Sequence, residues 1–146
     1  RLASPKEARV RAAMARAGLT AREEDFFIAA GRFEQAGYAA AKEALGRGDR
    51  PTAFIAAYDE VAFGAIRAFA ESGLRVPEDV SVMGFDGLKL GDYLIPNLSS
   101  VAQNVEEMAK ESVSILLDQI ENGAKARHEL VGVAVKWKES IKALEE

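Results

Sequence analysis

The sequence predicts an α/β fold with three layers, in which a mainly parallel sheet lies between two layers of helices. Two patterns support this prediction. Short apolar runs alternate with segments of helical period, and glycine or proline separates most of them. Such alternation is typical of βαβ units, whose parallel sheets are covered on both faces. A chain of 146 residues is long enough for one domain with a sizeable core.

Residues 4–19 predict the first helix. Ser4 can cap it, Pro5 suits its first turn, and Gly18 follows its end. Its basic residues could form a nucleic-acid face, but we interpret them as a solvated surface because no aromatic or glycine-rich element interleaves them. The apolar stripe of this helix consists of Val10, Ala13, Met14 and Ala17.

The next five predicted elements alternate between strand and helix. An apolar run at 25–31 predicts a strand, and residues 34–51 predict a helix that ends at glycine and proline. A second strand is expected at 52–58, followed by the clearest amphipathic helix at 59–73. The third strand is expected at 80–85, so two βαβ-type connections precede the middle of the chain.

The pattern changes after the third strand. Residues 86–100 are rich in glycine, proline and asparagine, which predicts a loop. Residues 104–123 predict a long amphipathic helix, and residues 128–137 predict a last strand. The apolar stripe of the long helix consists of Val105, Ala109, Val113, Leu116, Leu117 and Ile120.

The composition excludes several classes of site. The chain has no cysteine, so a disulfide framework, a zinc–thiolate site and a cysteine nucleophile are ruled out. A formal net charge of −4 gives no general indication of nucleic-acid or anionic-membrane binding. No apolar run approaches the ~20 residues of a membrane span, and no signal peptide opens this sequence.

The candidate site follows from the strand ends. In an open parallel sheet, ligands bind beyond the carboxyl ends of the strands. Phe33, Tyr58 with Asp59, and Asp86 follow the three predicted strands and would therefore converge. Carboxylates accept hydrogen bonds from hydroxyl groups and aromatic rings stack on apolar ring faces, so these residues favour a sugar or polyol site.

Each of these residues also has a purely structural interpretation. Asp59 is expected to be a helix N-cap, because Tyr58 ends a strand and the helical stripe begins just afterwards. Phe33 could be a core residue, and Tyr58 could pack at the end of its strand. Asp86 could cap a local turn with Gly87, an interpretation that the sequence leaves as open as ligand binding.

Enzymatic functions are poorly supported. His128, the one histidine, stands between charged residues and is expected at the surface. The chain contains neither a phosphate-binding loop nor a G-x-S-x-G motif. Asp59 and Asp86 could belong to a carboxylate metal site of a receiver-like domain, but no third acid and lysine stand in register. We therefore expect no catalysis, no metal site and no cofactor.

The residues from 50 onward resemble a known family. "GLRVPEDVSVMGFD" at 73–86 and "IPNLSSVAQ" at 95–103 strongly resemble the effector-binding domain of LacI/GalR-type transcriptional regulators. The resemblance covers nearly the whole chain. It implies a two-lobed, periplasmic-binding-protein-like type I fold that holds a small effector, commonly a sugar or related metabolite, between its lobes. A periplasmic-type sugar-binding protein for transport shares the fold and is the alternative.

The resemblance also implies which residues bind the effector. Asp86 matches a strand-end acceptor, and Gln103 matches the glutamine of the P-x-L-T-T-x-x-Q stretch. Tyr58 stands where the family most often has an effector-contacting asparagine, and Lys6 where it often has an arginine. Phe33 lies near a position that a stacking aromatic often fills.

Two departures from the family pattern bear on the effector. A phenol at Tyr58 replaces a two-sided amide, and Lys6 lacks the bidentate geometry of arginine. The segment from Phe33 to Gly37 is also one residue shorter than usual. These differences argue against a simple hexose.

The resemblance implies a division of the chain between two lobes. Residues 1–97 and 124–146 would form the second lobe, and residues 98–123 would supply a crossover strand and a helix that pack in the first lobe. Most of the first lobe and the DNA-binding headpiece are absent from this sequence, so we expect a part of a longer regulator. The implied partners are the effector, operator DNA through that headpiece, and a second copy in a homodimer, in the cytoplasm and without a membrane.

Overall fold

The sheet contains three parallel strands and one antiparallel strand. In the computed structural model, which describes residues 5–28, 30–48 and 50–143, strands β1 (Ala53–Ile55), β2 (Ser81–Asp86) and β3 (Ser99–Gln103) pair in parallel. Strand β4 (Val133–Lys136) pairs antiparallel with β3, and the order is β1-β2-β3-β4. The predicted mainly parallel sheet is therefore confirmed.

The described helices begin and end close to their predicted limits. Each of the four described α-helices is followed within two residues by a glycine of positive φ, which lets the chain leave the helix at little steric cost. These glycines are Gly18 (φ 73°), Gly48 (φ 80°), Gly73 (φ 76°) and Gly123 (φ 64°). No described helix has the length and apolarity that a bilayer span requires. Ser4, the expected first cap, lies outside the described residues. The helices are α1 (Pro5–Arg16), α2 (Glu34–Gly46), α3 (Asp59–Glu71) and α4 (Val105–Asn122), with short 3-10 helices at Glu23–Asp25 and Lys89–Tyr93.

Helices α2 and α3 pack closely because each carries a glycine at their contact. A Cβ added to Gly37 would lie 1.9 Å from the Val61 carbonyl oxygen, and one added to Gly64 would lie 1.9 Å from the Glu34 carbonyl oxygen. Neither position therefore has room for a side chain. The glycines let the two helices form a tight pair that covers one face of the sheet.

The core lies between this helix pair and the sheet. The rings of Phe54 and Phe69 meet edge to face, with centroids 5.6 Å apart. Along β2, Val82 and Gly84 are buried on the α3 side, while Phe85 faces the opposite side. The first turn of α1 reaches that opposite side through Lys6, which gives the third layer. The buried apolar cluster contains Ala40, Ala41, Phe54, Ala56, Ala62, Ala65, Ala68, Phe69, Val80, Val82 and Leu98.

The prediction of a strand at 25–31 is wrong for those of its residues that the structure describes. Residues 26–28 pair with no other strand among the described residues, and Ala29 lies outside them. The two aromatic rings are held by arginine side chains instead: the Arg11 guanidinium lies 3.8 Å from the centroid of the Phe26 ring, and that of Arg47 lies 4.4 Å from the Phe27 ring. The apolar pattern here serves ring–cation packing outside the sheet.

Two predicted apolar stripes remain uncovered. In α1, Ala13 and Ala17 are exposed, and the one buried residue is Glu7, which accepts hydrogen bonds from Arg11. In α4 no residue is buried. Its predicted stripe is exposed throughout: Ala109 is exposed, and the exposed fractions of the other residues are Val105 66%, Val113 57%, Leu116 56%, Leu117 47% and Ile120 70%.

The segment after β4 returns to the sheet and is fixed there by Ser140. The Ser140 N–H donates to the Asn97 carbonyl, and the Val82 N–H donates to the Ser140 carbonyl at 2.7 Å. The Ser140 hydroxyl donates to the Val82 carbonyl and accepts from the Ser99 N–H. Four hydrogen bonds from a fully buried residue therefore tie the end of the chain between β2 and the segment that leads into β3.

Candidate functional site

The carboxyl ends of β1 and β2 meet at one edge of the sheet. The two strands pair in register up to Ile55 and Met83, and the Ala56 N–H donates to the Met83 carbonyl at 2.8 Å. The residues that follow, Tyr58 after β1 and Asp86 at the end of β2, therefore emerge at the same edge. The sequence predicted this convergence from strand order alone.

Lys6 of α1 reaches this edge and connects three segments. Its Nζ donates to the Ala57 carbonyl at 3.0 Å. The same atom lies 4.3 Å from the centroid of the Tyr58 ring and 4.5 Å from that of Phe85. Ring faces carry partial negative charge and attract a cation, so the ammonium is held between two rings and a carbonyl.

Phe33 lies beside Tyr58 and has a strained backbone. The two ring centroids are 6.3 Å apart and the planes meet at 77°. Phe33 is 41% exposed, so it is not the core residue of the structural interpretation, and Tyr58 is 43% exposed. Phe33 has φ 50° and ψ −116° at the start of α2. Such a conformation costs about 1–3 kcal/mol for a bulky residue and is found preferentially at functional sites.

Asp86 and Gln103 form a pair at the same edge. The Asp86 carboxylate accepts a hydrogen bond from the Gln103 amide, and both residues are half-buried. The bond crosses from β2 to β3 instead of capping the turn at Gly87. Asp86 has φ 121°, the second non-glycine residue of positive φ among those described. Backbone strain thus occurs at two residues that the sequence singled out.

Asp59 does not cap α3, so this expectation is wrong. Tyr58 is the N-cap residue, and Asp59 is the first residue of the helix with 1% exposure. Its carboxylate accepts from the Leu88 N–H and from the Ser100 hydroxyl, each at 2.6 Å. The Ser100 oxygen in turn accepts from the Gly87 N–H at 3.0 Å. This network fixes the turn that follows Asp86.

The structure places all five sequence-predicted site residues at one edge of the sheet. Lys6, Phe33 and Tyr58 form one contact group, and Asp86 with Gln103 forms the other. Phe85, whose ring face contacts the Lys6 ammonium, directly precedes Asp86 in β2. That each residue contacts a ligand stays a prediction.

Sequence reasoning missed two residues of this edge. Phe85 is the last apolar residue of β2 and lies on the face opposite to α3, which strand alternation alone indicates. Ser100 bonds Asp59 over 41 positions in sequence, and no local pattern predicts such a pair. The one indication is that Ser100 is a polar residue buried in a parallel strand, where its hydroxyl requires a hydrogen-bond partner.

Other parts of the described chain offer no competing site. His128 is exposed, and no cluster of three metal-ligating side chains occurs among the described residues. Two open depressions lie elsewhere: one is bordered by the end of α3 and the Val76–Pro77 turn, the other by Tyr38 and Arg67. Neither contains a residue of the strand-end group.

The clearest pKa shifts also lie away from this edge. The Arg75 side chain and backbone N–H hold the pKa of the Asp79 carboxyl well below its usual range. Hydrogen bonds from the Tyr38 hydroxyl and Arg67 lower the pKa of Glu71. These are exposed surface pairs that stabilise turns and helix faces. They provide no proton donor or acceptor at the strand ends.

Comparison with known proteins gives consistent matches. The family model described as a periplasmic binding protein-like domain matches residues 3–141. The "HTH-type transcriptional repressor PurR" of Proteus mirabilis is 41% identical over 111 residues, which are 75% of this chain and 32% of that protein. The chain therefore spans about a third of the length of the curated relatives it matches.

Two solved structures have the same fold. A LacI-family sugar-binding transcriptional regulator from Escherichia coli, complexed with phosphate, has a TM-score of 0.82 and 29% identity, over 97% of this chain and 52% of that one. A LacI-family regulator from Enterococcus faecium with bound ribose has a TM-score of 0.70 and 33% identity, over 77% and 41% of the two chains. The relatives named here are a transcriptional repressor and transcriptional regulators.

Proposed function

Since this chain belongs to the family of periplasmic binding protein-like domains and is similar over most of its length to LacI-type regulators, we propose that it senses a small molecule for a bacterial transcriptional regulator. The observation that carries this proposal is the convergence of Lys6, Tyr58 and Asp86 at the carboxyl edge of the sheet. Two of the regulators named above have a small molecule bound in their solved structures: the E. coli regulator has phosphate and the E. faecium regulator has ribose.

Each residue of the edge has a proposed role. Asp86 accepts hydrogen bonds from hydroxyl groups of the effector, and Gln103 orients that carboxylate through the bond already present. Phe33 and Tyr58 offer exposed ring surface against an apolar face of the ligand. Lys6 supplies N–H donors. None of these roles requires bond making, which agrees with a binding function.

The exposed stripe of α4 supports the proposed division into lobes. A monomeric protein rarely leaves a contiguous apolar helix face in water. Leu116, Leu117 and Ile120 lie together on α4 and are about half exposed or more. The chain spans about half of the E. coli regulator's solved chain. We therefore assign residues 98–123 to contact with a first lobe of the same polypeptide, while residues 1–97 and 124–146 form the second lobe.

The remaining partners follow from this assignment. The Proteus relative is an HTH-type repressor, and its length beyond the matched third leaves room for a DNA-binding headpiece and a first lobe. We propose that the complete regulator binds operator DNA through such a headpiece, as a homodimer in the cytoplasm. Effector binding between the lobes would change their relative position and thereby the DNA affinity.

Calorimetry of the full-length regulator against a panel of sugars and related metabolites tests the proposal. We expect at least one saturable ligand, and an affinity at least ~10-fold lower in Asp86→Asn, because a neutral amide accepts hydroxyl hydrogen bonds more weakly than a carboxylate. Asparagine keeps the size of the side chain and tolerates the positive φ. Asp79→Asn, on an exposed turn, is the matched control and should bind as the parent does.

A ligand that binds equally well to Asp86→Asn would refute the assignment of this edge. A panel that yields no ligand for the full-length protein would count against sensing itself. Release of the protein into the periplasm, with ligand binding but no DNA binding, would favour the transport function instead.

A further inference from the structure

The Lys6 ammonium at the proposed effector site has no anionic partner in the described part of the chain. A lysine ammonium has three N–H donors, and the Ala57 carbonyl takes one of them. Its other contacts are the ring faces of Tyr58 and Phe85. No carboxylate oxygen of a described residue lies within 4.0 Å of its Nζ, so two donors and a full positive charge remain for something else.

The nearby carboxylates are already engaged elsewhere. Asp86 accepts from the Gln103 amide. Asp59 is 1% exposed and accepts from the Leu88 N–H and the Ser100 hydroxyl. Glu7, the neighbour of Lys6 in α1, forms an ion pair with Arg11 at 2.9 Å. The carboxylates near this edge thus accept hydrogen bonds from groups other than Lys6, and no carboxylate of a described residue forms an ion pair with its ammonium.

A second cation borders the same group of rings. The Arg32 guanidinium lies 5.3 Å from the centroid of the Phe33 ring, and it too forms no ion pair with any described residue. The edge therefore presents two cations on aromatic rings in a protein whose net charge is −4. Both cations raise the local positive potential that an anion would meet at this group of rings.

We propose that the effector carries an anionic oxygen group, a carboxylate or a phosphate, that binds the Lys6 ammonium, in addition to hydroxyl groups that donate to Asp86. This inference rests on the proposed sensing function. Hydrogen bonds between two charged groups are roughly twice as strong as neutral ones, so a charged ligand gains more from Lys6 than a neutral sugar does. The effector class is thus an acidic or phosphorylated sugar rather than a free hexose.

Calorimetry of the full-length regulator tests this class of effector with two series of ligands, in each of which the sugar skeleton is similar and the charge differs. One series is glucose, gluconate and glucose 6-phosphate; another is ribose, ribonate and ribose 5-phosphate; inorganic phosphate alone is a further probe. We expect a charged member to bind at least ~10-fold more tightly than its neutral parent, since one charge-assisted bond replaces a neutral one. The gluconate and phosphate arms distinguish the two anionic groups.

Substitutions at Lys6 assign the preference to the ammonium. Lys6→Met keeps the apolar stem over the rings and removes the charge, and it should abolish the preference for the charged member. Lys6→Arg keeps the charge and should retain the preference to within ~3-fold. Lys125→Met, at an exposed lysine after α4, removes the same charge elsewhere and should change nothing.

Three outcomes would overturn the inference. They are a neutral sugar that binds as tightly as its charged partners, a charge preference that survives in Lys6→Met, and no binding of any charged member or of phosphate. The first of these leaves the sensing function intact if the neutral sugar alters DNA affinity. DNA binding that no ligand alters would instead count against the sensing function, whatever the charge of the ligands that bind.

Discussion

At the scale of single residues, the candidate site depends on how two aspartates are held. Asp86 lies at the end of β2 with φ 121°, and its carboxylate reaches Gln103. Asp59 is buried behind it and fixes the following turn through Leu88 and Ser100. One aspartate therefore faces the edge of the sheet, while the other acts as a positioning residue for the turn next to it.

Removal of the Asp59 carboxylate should destabilise the protein. In Asp59→Ala the Leu88 N–H and the Ser100 hydroxyl lose their acceptor in a buried place. Each buried polar group without a partner costs about 1–3 kcal/mol, so we expect the free energy of unfolding to fall by about 2–5 kcal/mol. Urea denaturation measures this loss.

The control for this substitution is Glu78→Ala. Glu78 is exposed and its side chain makes no hydrogen bond to a described residue, so its removal should change stability by no more than about 0.5 kcal/mol. Equal effects of the two substitutions would contradict the role of Asp59.

The sequence predicted the position of Asp86 correctly and the role of Asp59 incorrectly. Strand-end position correctly brought Asp86 to the edge of the sheet, because it depends on strand order alone. Local helix chemistry suggested a cap for Asp59, whereas its hydrogen-bond partners lie 29 and 41 positions away. Pairs at that separation form through tertiary packing, which a local pattern does not contain.

At the scale of secondary-structure elements, the tight pair of α2 and α3 sets the first layer on the sheet. The backbones approach at Gly37 and Gly64, where an added Cβ would lie 1.9 Å from a carbonyl oxygen of the facing helix. Tyr58 is the N-cap residue of α3 and Phe33 is that of α2, so the spacing of the helices also sets the spacing of these two rings.

Gly37→Ala should force the two helices apart. Overpacking of a close contact typically costs 1–3 kcal/mol, and here the contact is with backbone atoms that cannot rotate away, so we expect a loss of at least about 2 kcal/mol. Thermal denaturation followed by circular dichroism measures the change.

Gly46→Ala provides the matched control in the same helix. A Cβ at Gly46 meets no atom within 4 Å, so this substitution should leave stability unchanged or raise it by about 0.5–1 kcal/mol through helix propensity. A loss of the same size at both glycines would contradict the role of close packing at Gly37, because helix propensity favours alanine at both positions.

Element boundaries show what periodicity can and cannot predict. Helix α3 was predicted to within two residues, because an apolar period and a terminal glycine determine it. Helix α2 begins at its predicted residue but ends at Gly46, before the predicted limit at residue 51. The strand at 25–31 was predicted from an apolar run alone, and its described part pairs with nothing in the sheet. A short apolar run has no period that distinguishes a strand from a packed loop.

At the scale of the whole molecule, the proposed division into lobes depends on a helix, α4, that has no buried residue. The fold and the LacI/GalR resemblance were predictable because specific motifs at 73–86 and 95–103 carry them. The family match over 3–141 confirms the fold, and the similarity to LacI-family regulators confirms the resemblance. The apolar stripe of α4 was likewise predicted. The sequence does not predict what covers the stripe, because its apolar period describes α4 and not the surface that would pack on it.

Leu116→Ser in the full-length regulator tests whether a first lobe covers α4. Leu116 is 56% exposed in this chain, and a leucine that stays exposed should tolerate the change within about 0.5 kcal/mol. If a lobe covers it, removal of a buried leucine side chain should cost at least about 2 kcal/mol. Chemical denaturation of the complete protein gives the answer.

Leu19→Ser is the control, because Leu19 is similarly exposed at 59% but lies after α1. It should cost little. If Leu116→Ser also costs little, the proposed division into lobes is wrong. If Leu116→Ser weakens only the dimer and not the monomer, a second copy covers the helix instead.

The central claim is that a ligand at the Asp86 edge controls DNA binding, and DNA affinity with and without ligand tests it most directly. Fluorescence anisotropy would give the affinity of the full-length regulator for DNA upstream of its own gene, with and without the ligand that calorimetry identifies. We predict a change in affinity of roughly 5–150-fold in the parent protein and none in Asp86→Asn at the same ligand concentration. An unchanged DNA affinity in the parent, or an equal response in Asp86→Asn, would contradict the account.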